Sequence, residues 1–322
     1  MNTRLAPIVL FTYNRPKHTR LVLEALKKNY LASESILIIY QDGIKEESSE
    51  HDLMNWRAVN NIIKDISGFK EIIIRSSNKN QGCDPSMING ITEVVNEYGK
   101  IIVLEDDLVV SPKFLSYMNA GLKLYQEEDK VGAINAYSYR FKEKLPNYFF
   151  MRGVNPYGWA TWEKYWKLYN PDSVSLVQEI EKKKMINDFD FGNTFKILQH
   201  TTQTGAKGGR DAIWYASLFT NNILGLFPSH SFVHNIGFDE SGTHTFNVSK
   251  EIREAQWPIQ LLNETFENED LKGIIINEDR YSKRIIQRKY NELSGKYTGK
   301  KKFISEYFKL KHFIKTNILK RS

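Results

Sequence analysis

Ile101-Ile102-Val103-Leu104-Glu105-Asp106-Asp107-Leu108 is an apolar run that stops at three consecutive carboxylates. Apolar residues without polar alternation predict a strand covered on both faces, as in a parallel sheet. Three adjacent acids at its tip repel one another, which is tolerable where a cation or a hydroxyl-rich ligand meets them. A divalent cation carrying a diphosphate satisfies that requirement, because Mg2+ or Mn2+ keeps waters and substrate phosphates beside one or two carboxylates. In open α/β sheets ligands bind beyond the carboxyl ends of the strands, which is where Glu105, Asp106 and Asp107 would lie.

Outward from this run the first 136 residues alternate strand and helix patterns. Apolar strands are predicted at residues 7–13, 35–40, 71–75 and 131–136. Between them Val22, Leu26 and Tyr30, then Val59, Ile62, Ile63 and Ile66, then Ile88, Ile91 and Val95, recur at helical spacing. Asp84-Pro85 and Ser111-Pro112 predict helix starts, each a cap followed by proline at the first helical position. Strands joined by helical crossovers imply a mostly parallel sheet with helices on both faces. The loops after Tyr13, Tyr40 and Leu104 then converge on one crevice. Residues 137–250 read as a helical and irregular second half of the same domain, and 251–322 as a helical, basic extension.

The 322 residues contain one cysteine, Cys83, which excludes an intramolecular disulfide framework and fits a reducing compartment. No signal-peptide pattern opens the chain, and no apolar run reaches the roughly 18–20 residues of a membrane span. The expectation is a cytoplasmic protein, soluble or peripheral on the inner face of the plasma membrane. Residues 281–322 carry 13 Lys/Arg against 2 Asp/Glu, which leaves the remainder, with 32 basic and 36 acidic residues, at net −4. The overall charge of +7 therefore belongs to the tail, and nucleic-acid binding by the main domain has no electrostatic support. In the tail Phe303, Tyr307, Leu310 and Ile314 repeat at helical spacing among lysines. Residues 296–322 thus read either as an amphipathic helix for an anionic membrane surface or as a terminal helix docked on its own domain.

Candidate site residues follow from position. Thr12, Asn14 and Arg15 close the first strand, where an arginine can neutralise phosphate. Asp42 ends the second strand, as an acceptor for a base or ribose or as a turn residue. Arg75 and Asn80 follow the third and could contact pyrophosphate or base. Asp211 opens a helical pattern after glycines 208 and 209, as its N-cap or as a general base for an acceptor hydroxyl. His234 and His244 flank a Gly-rich loop and could complete a metal site or touch phosphate. Trp159, Trp162 and Trp166, at i, i+3 and i+7, predict a helix face turned to the core. Tyr157 and Trp159, beside Gly158, are the candidates for a sugar-stacking wall.

Taken together, PIVLFTYNRP, IIYQDGIKEES, SNKNQGCDPSMINGI, IIVLEDDLVVSPKFLSYMNAGLKLY and GWATWEKYW resemble the GT-A (Rossmann-like) glycosyltransferases over roughly residues 7–245. The nearest pattern is that of N-acetylglucosaminyltransferase I and bacterial enzymes of polysaccharide and O-antigen clusters. The resemblance implies an inverting, metal-dependent hexosyl- or N-acetylhexosaminyltransferase with a nucleotide-sugar donor, UDP-linked by preference, and a saccharide acceptor, lipid-linked in lipopolysaccharide pathways. It implies Asp107 on Mn2+ or Mg2+, Asp106 near the ribose, Glu105 on the donor sugar, Asp42 at the base, Arg15 near the nucleotide, Asp211 as the catalytic base and residues 237–245 as a lid. Two other classes compete. A sugar nucleotidyltransferase usually has a glycine-rich phosphate loop after strand one, where this chain has Thr12-Tyr13-Asn14-Arg15-Pro16. A non-catalytic saccharide-binding protein of the same fold has no reason to keep the acid triplet.

Overall fold

The computed structural model describes residues 4–204, 209–239 and 249–295. In chain order the first elements are β1 (Ile8–Thr12), α1 (Pro16–Lys27), β2 (Ile36–Gln41), α2 (Glu50–Lys64), β3 (Glu71–Ser76), α3 (Cys83–Tyr98), β4 (Lys100–Glu105), β5 (Leu108–Val110), α4 (Phe114–Leu124) and β6 (Val131–Asn135). Then come β7 (Tyr148–Arg152), β8 (Trp159–Trp162), α5 (Glu163–Trp166), α6 (Ser173–Lys182), α7 (Ile186–Phe189), α8 (Thr194–Thr204), α9 (Arg210–Thr220), β9 (Leu224–Pro228), β10 (Val233–Asn235), α10 (Lys250–Ala255) and α11 (Arg280–Leu293).

Eight strands form one sheet in the order β3-β2-β1-β4-β8-β6-β9-β7. β1 to β4 are mutually parallel. β8 runs antiparallel to both β4 and β6, β6 pairs parallel with β9, and β7 closes the edge antiparallel to β9. The apolar run behaves as a strand sealed on both faces, with Ile101, Ile102, Val103 and Leu104 no more than 1% exposed. Helices cover it as their apolar stripes dictate: Val22 and Leu26 of α1, Val59 and Ile63 of α2, Ile91 and Val95 of α3, and Leu115, Met118 and Leu122 of α4 are buried in one core. The strand order turns around between β1, whose sequel runs outward to β2, and β4. Such a switch point leaves a crevice beyond the carboxyl ends of two strands.

Several expectations change. The helix after β3 starts at Cys83 with Gly82 as its cap position, so Asp84-Pro85 lies inside the first turn. α4 starts at Phe114 rather than at Pro112, because the three residues after the acids form β5, paired antiparallel with β10. α1 ends at Lys27, and Tyr30 is 66% exposed. The segment after residue 137 is not merely helical and irregular: it adds β7, β8 and β9 to the same sheet. Trp159 and Trp162 belong to a strand, not to a helix face. The expected tail helix and the lid residues 240–245 lie outside the described residues. Among the described residues no helix is long and apolar enough to cross a membrane.

Candidate active site

The acid triplet lies at the end of β4, beside the end of β1, where Phe11 is the register partner of Glu105. Each acid meets an arginine. Arg15, in the loop after β1, donates from one Nη to Asp106 and at 3.0 Å to Oδ2 of Asp107. Arg210, the first residue of α9, donates at 3.3 Å to Oε1 of Glu105. The same guanidinium holds Oδ1 of Asp211 through Nη2 at 2.6 Å and Nε at 2.9 Å. α9 thus delivers Asp211 to the triplet although 104 residues separate it from Asp107 in sequence. Asp211 is in the first turn and does not cap the helix; Gly209 occupies the cap position, with its N–H on Asp84 at 3.2 Å.

Electrostatics follows from this packing. Burial raises the pKa of Glu105 to about 7, with Arg210 opposing and the neighbouring acids reinforcing. Burial likewise raises Asp106, against the pull of Arg15. For Arg15 and Arg210 burial opposes the charged form, but the paired carboxylates overcome it and raise both pKa values. Four carboxylates against two guanidiniums leave a formal charge of −2 at this corner.

That deficit fits a divalent cation arriving with a diphosphate, which needs only one or two protein carboxylates. Asp107 is the acid most firmly held in place by its surroundings. Its backbone carbonyl is fixed by the Ile236 N–H at 2.8 Å, through the β5·β10 pair. Its side chain lies so close to Gly237 that a Cβ there would sit 2.2 Å from Oδ2, so only glycine leaves the carboxylate its place. Among the described residues no group of three or more His, Cys, Asp or Glu converges as a ready metal cage. His244 lies outside the described residues.

The remaining predicted residues divide. Thr12 is buried and donates to the Tyr40 carbonyl at 3.1 Å, and Asn14 donates to Asp52 at 3.1 Å. Asp42 is occupied by its own loop: it accepts from the N–H groups of Gly43, Gln81 and Gly82 and from Nδ2 of Asn80, all within 3.1 Å. Asp42 and Asn80 therefore brace the 80–82 turn, in keeping with the turn reading of Asp42. Arg75 is held by Tyr40, Glu93 and Glu97 on the flank formed by β2, β3 and α3. His234 donates from Nδ1 to the Trp257 carbonyl at 2.8 Å, and burial lowers its pKa. Trp159 is 3% exposed, stacks on Trp166 and lies tilted against Trp214, so it is core and not a sugar platform. Tyr157, which feels the charges of Asp211 and Asp107, lines a cavity that also reaches Asp211.

Two residues escaped the sequence reading. Arg210 is one; its only signal is a lone charge-bearing pair, Arg210-Asp211, at the head of an otherwise apolar helix. His18 is the other. It is buried in α1, faces Asp239 at 3.1 Å and adds to the field on Asp106.

No protein-family model matches this chain, and no curated protein does. Solved structures of similar fold include the glycosyltransferase GlyE of Streptococcus pneumoniae TIGR4, at 15% identity and a TM-score of 0.37, over 69% of this chain and 45% of that one. S. aureus TarS aligns at 11% identity and 0.39, over 72% of this chain and 36% of its own. The galactosyltransferase LgtC, in complex with donor and acceptor sugar analogs, aligns at 10% and 0.37, over 68% and 72%. Sugar nucleotidyltransferases align over a shorter stretch. The chain spans less than half the length of GlyE and TarS.

Proposed function

We propose that this chain is a glycosyltransferase that moves a sugar from a nucleotide-sugar donor to a saccharide acceptor, with inversion at the anomeric carbon. The observation that carries the reading is the Arg210 bridge. One guanidinium ties Glu105, in the triplet that would receive the donor, to Asp211, the carboxylate that would receive the acceptor's proton. Inversion needs the base and the leaving diphosphate on opposite faces of the anomeric carbon, so Asp211 would act from the face away from the metal that Asp107 would hold. When bound, Mn2+ or Mg2+ would supply Lewis-acid neutralisation of the leaving diphosphate. Asp107 would hold it, and Arg15 would keep Asp106 and Asp107 in place. Asp211 would accept the hydroxyl proton as the acceptor attacks. A UDP-linked donor, the narrower kinship with N-acetylglucosaminyltransferase I, a role in surface polysaccharide or O-antigen assembly, and membrane contact through residues 296–322 belong to the same proposal.

The experiment is a thermal-shift screen of UDP, GDP and CDP with and without Mn2+, followed by a donor screen for release of nucleoside diphosphate. Metal-dependent stabilisation by a diphosphate is expected. Asp211→Asn should lower turnover by about 10²–10⁴-fold while nucleotide affinity is kept. Wild-type turnover in Asp211→Asn removes the base assignment. Pyrophosphate release from a triphosphate would make the protein a nucleotidyltransferase instead. Liposome co-sedimentation with and without residues 296–322 tests the membrane contact, and equal binding removes it.

A further inference from the structure

We infer that the acceptor carries a hydrocarbon group beside its reacting hydroxyl, and that this group lies in a carbon-walled cavity opening at Asp211. The inference rests on the transferase reading of Asp211. The cavity has a volume of about 470 Å3, and Asp211 and Tyr157 contribute to its lining. Pockets of roughly 300–1,000 Å3 with mostly apolar walls and few polar groups are the usual form of small-molecule sites. Phe149, Met151, Phe227 and Ile286 contribute to its walls and form a small cluster apart from the main core, against which Phe191 and Tyr290 pack.

Most of the polar groups that line it already have partners, the buried Tyr137 hydroxyl being an exception. Asn155 donates from Nδ2 to the Tyr290 hydroxyl at 2.8 Å, and the Tyr215 hydroxyl donates to the Phe189 carbonyl at 2.9 Å. Thr194 donates to the Phe191 carbonyl at 2.5 Å and Ser138 to the Tyr139 carbonyl at 3.2 Å. Arg152 is taken by Glu278 and Asp188. The rings meet edge to face, Tyr139 on Tyr290 at 5.0 Å and Phe191 on Tyr215 at 6.2 Å, which fixes the walls. A bare sugar placed among them would lose hydration and gain few partners in return. A hydrocarbon would exchange water for carbon, with its polar end left at Asp211.

The test is calorimetric titration of the full chain, without nucleotide, against alkyl glycosides of one sugar from methyl to octyl, below their micelle concentrations. Affinity should rise about threefold to fourfold per added methylene, with a negative heat-capacity change. A phenyl glycoside of the same sugar distinguishes the shape of the group: a ring that binds more tightly than the matched alkyl chain assigns the cavity to an aromatic aglycone, and the reverse to a chain. Ile197→Asp, at a wall residue that is 49% exposed, should flatten the series with little change in melting temperature. Thr194→Phe, which fills the space instead, should do the same. A flat series in the wild type, or an equally steep one in both variants, overturns the inference. A flat series with intact metal-dependent nucleotide binding and transfer removes this inference alone. A steep series with no nucleotide binding upholds the hydrocarbon site and removes the transferase reading.

Discussion

Arg210→Met removes the cation between Glu105 and Asp211 while keeping an apolar side chain against Met87, which the guanidinium touches. Breaking a buried ion pair costs about 3–5 kcal/mol, because the abandoned partner stays charged and unpaired. Here Glu105 is 27% and Asp211 45% exposed in their side chains, so water reaches both. Solvent screening brings the expected loss down to about 2–3 kcal/mol. The pH dependence is the sharper signature. Burial holds the folded-state pKa of Glu105 at about 7, above the roughly 4.3 of an unfolded glutamate. Between those values the native state binds more protons than the unfolded one, so wild-type stability falls as pH rises through that window. Without Arg210 the folded pKa moves higher still, and the variant keeps losing stability above about pH 7, where the wild type has levelled off. The penalty should be smallest near pH 4.5 and largest near about pH 8. Urea unfolding of both proteins at the two ends of that range measures it. An equal loss at both ends, or a variant more stable than wild type at the alkaline end, would show that Arg210 does not compensate these acids.

Gly237→Ala should displace the Asp107 carboxylate, since the new Cβ would lie 2.2 Å from Oδ2. Overpacking of this kind costs about 1–3 kcal/mol, and titration of UDP with Mn2+ should show at least a roughly tenfold weaker response, whereas unchanged affinity would clear Asp107 of that role. Asp42→Asn turns an acceptor into a donor facing the N–H groups of the 80–82 turn, and should cost about 2–3 kcal/mol in urea unfolding; a loss below about 0.5 kcal/mol would mean the brace is not needed. Trp159→Ala opens the Trp159–Trp166–Trp214 cluster and should lose about 3–5 kcal/mol. Its nucleotide affinity should be unchanged where the protein remains folded, and a selective loss of sugar affinity would return Trp159 to the site.

The parallel half of the fold was legible because burial on both faces of a strand writes itself as an unbroken apolar run, as in residues 101–104. The position of the acids followed from the same rule. β8 was misread for the same physical reason: a strand sealed on both sides has no alternation, and Trp159, Trp162 and Trp166 happen to fall at helical spacing. β5 and β10 are three residues each, too short for any period, yet they fix Asp107. Arg210 could not be assigned because a buried arginine is explained only by its partners, and Glu105 lies 105 residues away in sequence. Asp42-Gly43 could be read as a turn, but three of the four donors that hold Asp42 come from residues 80–82, beyond the reach of any local pattern.

β8 is made after β6 and β7 but sits between β4 and β6. While the chain is being synthesised, residues 8–105 can assemble four parallel strands, yet the outer edge of β4 has nothing to bond until Trp159–Trp162 emerges. Ala160 then faces Ile102 on one side and Ile134 on the other, so a four-residue segment welds the nascent first half to everything that follows. Pairings of such sequence separation form late and leave an open edge exposed meanwhile. Truncation or a stall before residue 162 would accordingly yield not a folded half but a sticky sheet, with the acids mounted on its unprotected strand.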